Sequence, residues 1–214
     1  KTYATRTVII ATGASARWLN VKGEKQYKGK GVSTCAVCDA ALFRDKNVVV
    51  IGGGDSAMEE TLALYKFAKK ITIIHRRKEF RASKIMQKRI LNLKDKISII
   101  LDSIVTEVLG DGKFVTGIKI KNVNTNQESE IKCQGIFLAV GHTPNTEFLK
   151  PLIKLDKAGY IITKKVSTNL PGVFAAGDVQ DYVYKQAITS AGTGCMAALE
   201  SEKYIEKLKN EGKY

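Results

Sequence analysis

The chain has 214 residues, and its composition of 44% hydrophobic and 26% charged residues excludes low-complexity and collagen-like proteins. No run reaches the roughly eighteen apolar residues that a membrane span needs, and no secretory signal pattern is present. Thirty-five Lys and Arg against twenty-one Asp and Glu give a formal charge of +14, which suits a polyanionic ligand. The excess is mostly scattered Lys, however. We therefore expect solvated faces, with no nucleic-acid or membrane binding.

Apolar runs bounded by glycines predict an α/β fold in the first half of the chain. Residues 7–13 (TVIIATG) are β-branched and end at Gly, which is typical of a buried strand. A helix is predicted over 35–43 and a second buried strand over 47–51. A Gly-rich turn follows at 52–57, then a helix to about residue 69, then a strand over 71–74. This order indicates a βαβ unit in a parallel sheet.

The second half of the chain changes period. Residues 97–130 alternate apolar and polar side chains, and turn signals at 110–112 and 124–126 predict an antiparallel β-meander. The run over 135–141 (GIFLAVG) echoes residues 7–13. Residues 135–141 are predicted to be the last strand of the domain whose first strand is 47–51. By analogy, residues 7–13 are expected to be the last strand of a domain whose first strand is absent from the chain. The tail predicts a strand over 173–176 and a helix over 185–208.

The Gly-rich turn carries a dinucleotide-binding pattern, Gly52-x-Gly54-x-x-Ala57. In this pattern the first Gly permits the tight turn, the second admits a pyrophosphate, and the small third residue lets helix and strand pack closely. Asp55 and Ser56 begin the helix whose N-terminus would face that anion. The motif lies between a predicted strand and a predicted helix, as it must. The alternative is a glycine turn that serves packing only.

The end of the next strand discriminates between the two nicotinamide cofactors. An NAD site usually places Asp or Glu there for the ribose hydroxyls. This chain places His75, Arg76 and Arg77, followed by Arg81. Three of its seven Arg lie within residues 76–81, although Lys outnumbers Arg fourfold. Guanidinium groups bind phosphate bidentately, so the pattern favours NADP(H) over NAD(H).

A Cys-x-x-Cys pair opens the helix predicted over 35–43. Cys35 and Cys38 can close a small-loop disulfide, and a helix N-terminus makes one of the thiols a nucleophile. Asp39 is placed to transfer protons as thiolate and disulfide interconvert. A zinc site would need two further ligands, and no pairing supplies them. Cys133 and Cys195 are expected to be packed in apolar surroundings and inert.

Asp178 follows Gly177 at the end of the last predicted strand. Ligands of open α/β sheets bind beyond the carboxyl ends of the strands, so this side chain could accept hydrogen bonds from cofactor hydroxyls. An Asp that only caps a helix or closes a turn is the equal alternative.

Taken together, these motifs resemble the low-molecular-weight thioredoxin reductases. The matching stretches are ATGA at 11–14, CAVCDA at 35–40, GGGDSAMEE at 52–60, HRRKEFRAS at 75–83, GHTPNT at 141–146, TNLPGVFAAGDV at 168–179 and KQAITSAGTG at 185–194. Two positions depart from the family pattern. Val37 stands where Thr is usual, and Lys185 stands where Arg is common.

The resemblance implies a fold in which an FAD domain is interrupted by an NADPH domain. The expected fold class is a Rossmann-like NADPH-binding domain with an inserted antiparallel meander, plus part of an FAD-type α/β domain. The expected boundaries are 17–140 for the NADPH domain, and 1–16 and 141–214 for the partial FAD domain. The family's N-terminal FAD pyrophosphate motif has no match, so the chain is expected to be a fragment of a longer protein.

The resemblance also implies roles for individual residues. Cys38 would face the flavin, Cys35 would exchange with thioredoxin, and Asp39 would be the acid/base. His75 and the three arginines would bind the 2′-phosphate. The FAD residues would be Thr12, Gly13, Gly177, Asp178, Gln186, Ala187 and Ile188.

The implied activity is an NADPH-dependent thioredoxin-disulfide reductase in which electrons pass through FAD to the Cys35–Cys38 disulfide. We expect the full-length protein to be cytoplasmic and homodimeric. The fragment itself is not expected to be competent for full turnover. One alternative is the flavoprotein subunit of alkyl hydroperoxide reductase. A second is a non-catalytic NADP(H)- or nucleic-acid-binding module.

Overall fold

The computed structural model describes residues 1–213 and divides into two compact units. The central unit is Arg17–Gly141. The outer unit combines Lys1–Ala16 with the chain from His142 onward.

The strands are β1 (Val8–Ile10), β2 (Ala14–Ala16), β3 (Val32–Ser33), β4 (Asn47–Ile51), β5 (Lys70–Ile74), β6 (Ile97–Ile100), β7 (Ser103–Gly110), β8 (Val115–Asn122), β9 (Glu128–Lys132), β10 (Gly135–Leu138), β11 (His142–Pro144) and β12 (Val173–Ala175). The helices are α1 (Ala36–Asp39), α2 (Asp55–Tyr65), α3 (Lys84–Leu91) and α4 (Ala187–Asn210). Short 3₁₀ turns occupy Ala40–Phe43, Glu147–Leu149 and Gly177–Val179.

A five-stranded parallel sheet forms the middle of the central unit, in the order β3-β10-β4-β5-β6. Strands β4, β5 and β6 are rich in Val and Ile, and β4 and β5 are buried along four of their five residues. Such runs suit a parallel sheet because both of its faces are covered. Helices α2 and α3 connect β4 to β5 and β5 to β6. The predicted βαβ unit is therefore confirmed.

Side chains cover both faces of this sheet. On one face Phe43 and Phe137 meet edge-on, with ring centroids 5.0 Å apart, beside Val48 and Leu64. The other face packs against an antiparallel meander in the order β7-β8-β9, which buries Ile118 completely. This is the layered arrangement of an α/β domain.

The meander begins later than the sequence indicates. Residues 97–100 were expected to be its first part, but β6 pairs parallel with β5 and belongs to the main sheet. The apolar alternation of a strand does not reveal its partner, since period two is common to parallel and antiparallel strands. The turn signals are confirmed. Asp111 Oδ1 accepts the N–H groups of Lys113 and Phe114 at one, and Asn122 Oδ1 accepts those of Asn124 and Thr125 at the other.

The outer unit is built on two strand pairs and the long helix α4. Strands β1 and β12 are parallel, and β2 and β11 are antiparallel. The prediction that β1 is buried is wrong for two of its three residues, because Val8 and Ile9 are 44% and 40% exposed. Within the described chain β1 has β12 as its only strand partner, so an apolar run need not be covered.

The two cysteines outside the Cys-x-x-Cys pair differ in environment. Cys133 is buried at the edge of the meander, and burial raises the pKa of its thiol to about 12. Cys195 is exposed on α4, so the expectation that it is packed is wrong. Its helix leaves one face uncovered, with Met196 and Leu199 also exposed. Apolar neighbours in sequence do not reveal which side of a helix is covered.

Two wider features can be excluded within residues 1–213. No helix there combines the length and apolarity that crossing a membrane requires. No group of three or more His, Cys, Asp or Glu is placed to hold a metal ion in this part of the chain.

Replacing Phe137 by Ala should destabilise the central unit by about 3–5 kcal/mol, because it removes a fully buried ring and leaves a cavity beside Phe43. Urea unfolding followed by fluorescence of the single tryptophan, Trp18, measures this, since Trp18 packs against the sheet–meander core. Phe114 is 63% exposed, so Phe114→Ala is the matched control. It should cost less than about 0.5 kcal/mol. Equal losses for the two variants would contradict the assigned core.

Candidate functional site

A crevice opens at the carboxyl ends of the central parallel strands. Its walls come from the turn after β4, the end of β5, the start of β7 and the residues after β10. The cavity measures about 560 Å³ and lies wholly within the central unit. It lies where β4 is flanked by β5 on one side and by β10 on the other. This is the topological switch point at which open α/β sheets bind ligands.

The first glycine of the turn is required by its neighbours. Gly52 has φ +156°, and a Cβ there would collide with the carbonyl oxygen of Ala139. The same Cβ would lie 3.0 Å from Cβ of Ala57, which is itself fully buried. A larger residue at either position would push helix α2 away from the sheet. Gly52 and Ala57 therefore set the close helix–strand packing that the motif predicts.

Gly53, the middle glycine, is a site residue that the sequence analysis missed. Its Cα lies against the imidazole of His75, and a Cβ would overlap that ring. Its carbonyl oxygen accepts the N–H groups of Arg81 at 2.7 Å and Ala82 at 3.1 Å. The motif leaves this position open, and the unbroken Gly-Gly-Gly run was the available signal. Gly53 thereby connects the turn to the arginine segment.

The third part of the turn is open to an approaching ligand. Gly54 is the N-cap of α2, and a Cβ there would meet no atom within 4 Å. The first N–H groups of a helix have no intrahelical partner, so the exposed start of α2 offers donors to an anion. Ser56 is exposed in this first turn. Asp55 is placed differently, because its Oδ1 accepts the Ser83 N–H at 2.8 Å and ties α2 to the start of α3.

His75 is buried beside the arginine segment and hydrogen-bonds to its backbone. It is 5% exposed, and its Nε2–H donates to the Glu79 carbonyl oxygen at 3.1 Å. Burial lowers the pKa of the imidazole, and the positive charges of Arg81, Arg77 and Arg76 lower it further, while the bond to Glu79 opposes them. The ring is therefore neutral at pH 7. Its role in this geometry is to shape the segment.

Two of the three arginines of this segment lie at the crevice. Arg76 and Arg81 line the cavity, and both are exposed. Arg77 is also exposed but is not among the lining residues. The Arg81 N–H is held by Gly53, which fixes the backbone from which this guanidinium extends. The donor set fits a phosphorylated dinucleotide, with open backbone at Gly54 and guanidinium groups at the strand end.

The Cys-x-x-Cys pair lies elsewhere on the central unit, at the start of α1. Cys35 is the N-cap of this short helix, and Cys35 and Cys38 are joined in a disulfide. The Cys35 sulfur also accepts the Cys38 N–H at 3.2 Å. Cys35 is half-buried, whereas Cys38 is exposed beside the 71%-exposed Val37. The disulfide is therefore open to reaction from solvent through Cys38.

Two carboxyl groups flank the disulfide. Asp39 Oδ2 accepts a hydrogen bond of 2.6 Å from Ser33 Oγ. Glu60 Oε2 accepts the Ala36 N–H at 2.6 Å. Burial raises the pKa of Glu60 to about 7, with additional raising from Asp39 and Glu59 against the lowering effect of the Ala36 bond. Neither Ser33 nor Glu60 was predicted as a site residue. Glu60 could not be found from local spacing, because nothing in the sequence places residue 60 beside residue 36.

In the outer unit, the ends of the parallel strands bring together two of the predicted FAD segments. Ile10 pairs with Ala175, so Thr12 and Gly13 leave the same edge as Gly177. Asn145 holds the first segment. Its Nδ2 donates to Thr12 O, its N–H donates to Gly13 O, and its carbonyl accepts from Thr12 Oγ1. Asn145 was not predicted as a site residue.

The second segment is tied to the start of α4. Gly177 donates its N–H to Thr193 Oγ1 at 2.9 Å, and Asp178 Oδ1 accepts from Ser190 Oγ at 2.9 Å. The half-buried Asp178 thus lies beside the N-terminal turns of the helix. A carboxylate and hydroxyl groups at this edge fit the hydroxyl groups of a ribityl chain.

The remaining predicted residues begin α4. Gln186 is its N-cap and forms a capping box with Thr189, while Ala187 and Ile188 are exposed in the first turn. Asp181 fixes the preceding loop. Burial raises its pKa, but the N–H groups of Tyr184, Lys185 and Val183 and the Thr189 hydroxyl lower it below the usual value.

Comparison with known proteins identifies the family of the chain. The family model described as pyridine nucleotide-disulphide oxidoreductase matches residues 1–194. A thioredoxin reductase of Rickettsia conorii is 51% identical over 209 residues, which cover 96% of this chain and 67% of that protein.

Solved structures give the same result. The thioredoxin reductase of Streptococcus pyogenes superposes with a TM-score of 0.88 at 46% identity, and that of Giardia duodenalis with 0.88 at 47%. Each match covers 94% of this chain and 66% of the solved chain. The chain therefore spans about two thirds of the length of its relatives. It belongs to the pyridine nucleotide-disulphide oxidoreductases and, among them, to the thioredoxin reductase family.

Proposed function

We propose that this chain carries the NADPH-binding and dithiol–disulfide functions of an NADPH-dependent thioredoxin reductase. The observation that carries the proposal is the presence, in one compact unit, of a disulfide open to solvent and an arginine-lined crevice at the switch point of a parallel sheet. The family membership supports the same reading.

The crevice residues would hold NADPH by its charged groups. The N–H groups at the start of α2, beyond Gly54, would bind the pyrophosphate. Arg76 and Arg81 would bind the 2′-phosphate, with Arg77 contributing charge. His75, neutral and buried, would keep the arginine segment in shape. A carboxylate is absent from residues 75–78, so nothing at the strand end repels a phosphate.

The outer unit would contribute part of an FAD site, through Thr12, Gly13, Gly177, Asp178, Gln186, Ala187 and Ile188. Bound NADPH and FAD would supply the two electrons that reduce the disulfide. The fit of these outer-unit residues rests on their shared edge and on the Asp178–Ser190 pair. We further propose that the longer protein is a cytoplasmic homodimer whose partner is thioredoxin.

The thiol chemistry follows from the Cys35–Cys38 pair. In the reduced protein the Cys35 thiolate would attack one sulfur of a thioredoxin disulfide, forming a mixed disulfide and releasing the second thioredoxin sulfur. Cys38 would then attack Cys35, which reforms the Cys35–Cys38 bond and frees the reduced thioredoxin. Asp39, hydrogen-bonded to Ser33, would take and return the protons of the two thiols.

Replacing Arg76 and Arg81 together by Ala should weaken NADPH binding by at least about tenfold, because each guanidinium gives charge-assisted hydrogen bonds to the phosphate. Affinity for NADH, which lacks the 2′-phosphate, should change little. Calorimetric titration of the chain with both nucleotides measures this. Arg89 is exposed on α3 away from the lining residues, so Arg89→Ala is the control. Equal losses for NADPH and NADH would argue against the phosphate site.

Substitutions at Gly54 and Gly53 should distinguish an effect on nucleotide binding from an effect on folding. Gly54→Ala should cost no more than about 1 kcal/mol of stability, because Ala is a poorer N-cap than Gly but its methyl group meets no protein atom. It should still weaken both NADPH and NADH, because the methyl group lies where the pyrophosphate approaches. Gly53→Ala should instead lower the unfolding midpoint, since its methyl group overlaps His75. Unfolding curves and nucleotide titrations of the two variants test this. Unchanged nucleotide binding by Gly54→Ala would exclude the turn as the pyrophosphate site.

The roles of the two cysteines can be tested by trapping. Cys38→Ser removes the thiol that would attack Cys35 and free thioredoxin, so this variant should accumulate a mixed disulfide between Cys35 and thioredoxin. Cys35→Ser should not. Thioredoxin activated at its accessible cysteine with a thionitrobenzoate leaving group is the probe, and non-reducing gels with mass spectrometry identify the product. Cys195 is exposed and could react, so both variants carry Cys195→Ser. A mixed disulfide through Cys38 instead would reverse the assignment.

A further inference from the structure

The N–H groups of Cys35 and of the next residue, Ala36, are both linked by hydrogen bonds to a carboxyl group. The Cys35 N–H donates to Ser33 Oγ at 3.1 Å, and Ser33 donates in turn to Asp39 at 2.6 Å. The next N–H, of Ala36, donates directly to Glu60 at 2.6 Å. Asp39 lies one residue beyond Cys38. Glu60 comes from a separate helix, and the proposed thiol chemistry leaves it without a role.

Glu60 is held where its charge matters. It lies in the second turn of α2, which packs against α1, and it is half-buried. Ala36, its partner, is completely buried. The Ala36 N–H therefore depends on Glu60 for a hydrogen-bond partner, and the first turn after Cys35 depends on that bond.

The charged surroundings of Glu60 are mainly acidic. Asp39 of α1 and Glu59 of α2 itself raise its pKa, after the larger effect of burial. The other elements that pack most extensively against α2 are the 40–43 turn, β4, β5 and α3. Of these, the 40–43 turn (AALF) and β4 (NVVVI) carry no charged residue. Strand β5 contributes Lys70, and α3 contributes Lys84, Lys88 and Arg89, all exposed.

Around neutral pH the carboxyl of Glu60 therefore changes between a neutral and a charged form. The ionised form places a negative charge at the Ala36 N–H, one residue after Cys35, whereas the neutral form does not. Like charges oppose one another, so ionised Glu60 disfavours formation of a thiolate in the reduced pair. Neutral Glu60 removes that opposition while keeping a carbonyl oxygen to accept the Ala36 N–H.

We propose that Glu60 is a positioning residue of the redox pair, which holds the Ala36 N–H in both of its forms and sets by its own ionisation how readily the reduced Cys35–Cys38 pair forms a thiolate. The inference rests on the proposed assignment of Cys35 and Cys38 as the reacting thiols. It requires no contact with nicotinamide, flavin or thioredoxin.

The test is the pH dependence of thiol alkylation in the reduced 214-residue chain. The protein is reduced with dithiothreitol, desalted and treated briefly with iodoacetamide between pH 5.5 and 9. Trypsin releases both cysteines in one peptide, residues 31–44, so mass spectrometry follows them separately from Cys133 and Cys195. The variants are Glu60→Gln, which keeps an acceptor oxygen without the charge, and Glu59→Gln, which removes the neighbouring exposed carboxylate as the matched control.

The expected wild-type profile rises less steeply around pH 7, where Glu60 ionises. Glu60→Gln should show a single ionisation step and react about three- to tenfold faster at pH 8, as removal of a nearby charge in a partly solvated site predicts. Glu59→Gln should keep two ionisation steps, with the Glu60 step at a slightly lower pH because Glu59 raises the pKa of Glu60. Cys195 should alkylate identically in all three proteins. Superposable profiles for wild type and Glu60→Gln would show that Glu60 only fills a structural role, and would overturn the proposal.

A second measurement needs no substitution. Carbon-13 NMR of selectively labelled glutamate follows the Glu60 carboxyl through pH 5–9 in the oxidised and the reduced chain. We expect a midpoint near 7 that shifts upward on reduction, because thiolate and carboxylate then compete for protons. A midpoint that is the same in both redox states would overturn the proposal. Neither result bears on nucleotide binding, so failure here is distinguishable from failure of the proposed function.

Discussion

The central unit depends on one steric constraint, the close approach of the turn after β4 to the structures on either side of it. At Gly52 the backbone lies against the Ala139 carbonyl after β10, and at Gly53 it lies against the ring of His75 after β5. No side chain fits at either position. Because the turn lies this close to both neighbouring strand ends, α2 begins at the sheet edge. Its first N–H groups then face the crevice.

The same helix links the crevice to the disulfide. Helix α2 begins after Gly54, at the crevice, and Glu60 lies six residues further along, against the first turn of α1. At about 1.5 Å per residue the two points are roughly 9 Å apart along one rigid element. The packing of Ala57 against the Gly52 turn therefore also sets where the carboxyl of Glu60 meets the Cys35 turn. A change that shifts α2 would disturb both sites together.

The arginine segment shows how charge is placed in a strongly basic chain. The formal charge of +14 comes mostly from Lys spread over the sequence. The arginines that line the crevice are held by neutral contacts instead, through Gly53 O and the buried imidazole of His75. Burial lowers the pKa of His75, and the three positive charges close to it lower it further, so the neutral imidazole adds no repulsion to the arginines. The chain thus concentrates guanidinium groups at one strand end, where residues 75–78 contain no carboxylate.

The sequence by itself determined the βαβ unit, the Gly-rich turn, the arginine cluster and the cysteine pair, since each of these depends on residues close together in the chain. The turn signals of the meander were likewise readable, because Asp111 and Asn122 bond to N–H groups two or three residues away. Tertiary structure decided what depends on distant partners. It placed 97–100 in the parallel sheet, left Val8 and Cys195 exposed, made Gly53 obligatory through His75, and brought Glu60 to Ala36. A period or a motif describes one segment, whereas burial, partner choice and pKa are properties of the segments that pack against it.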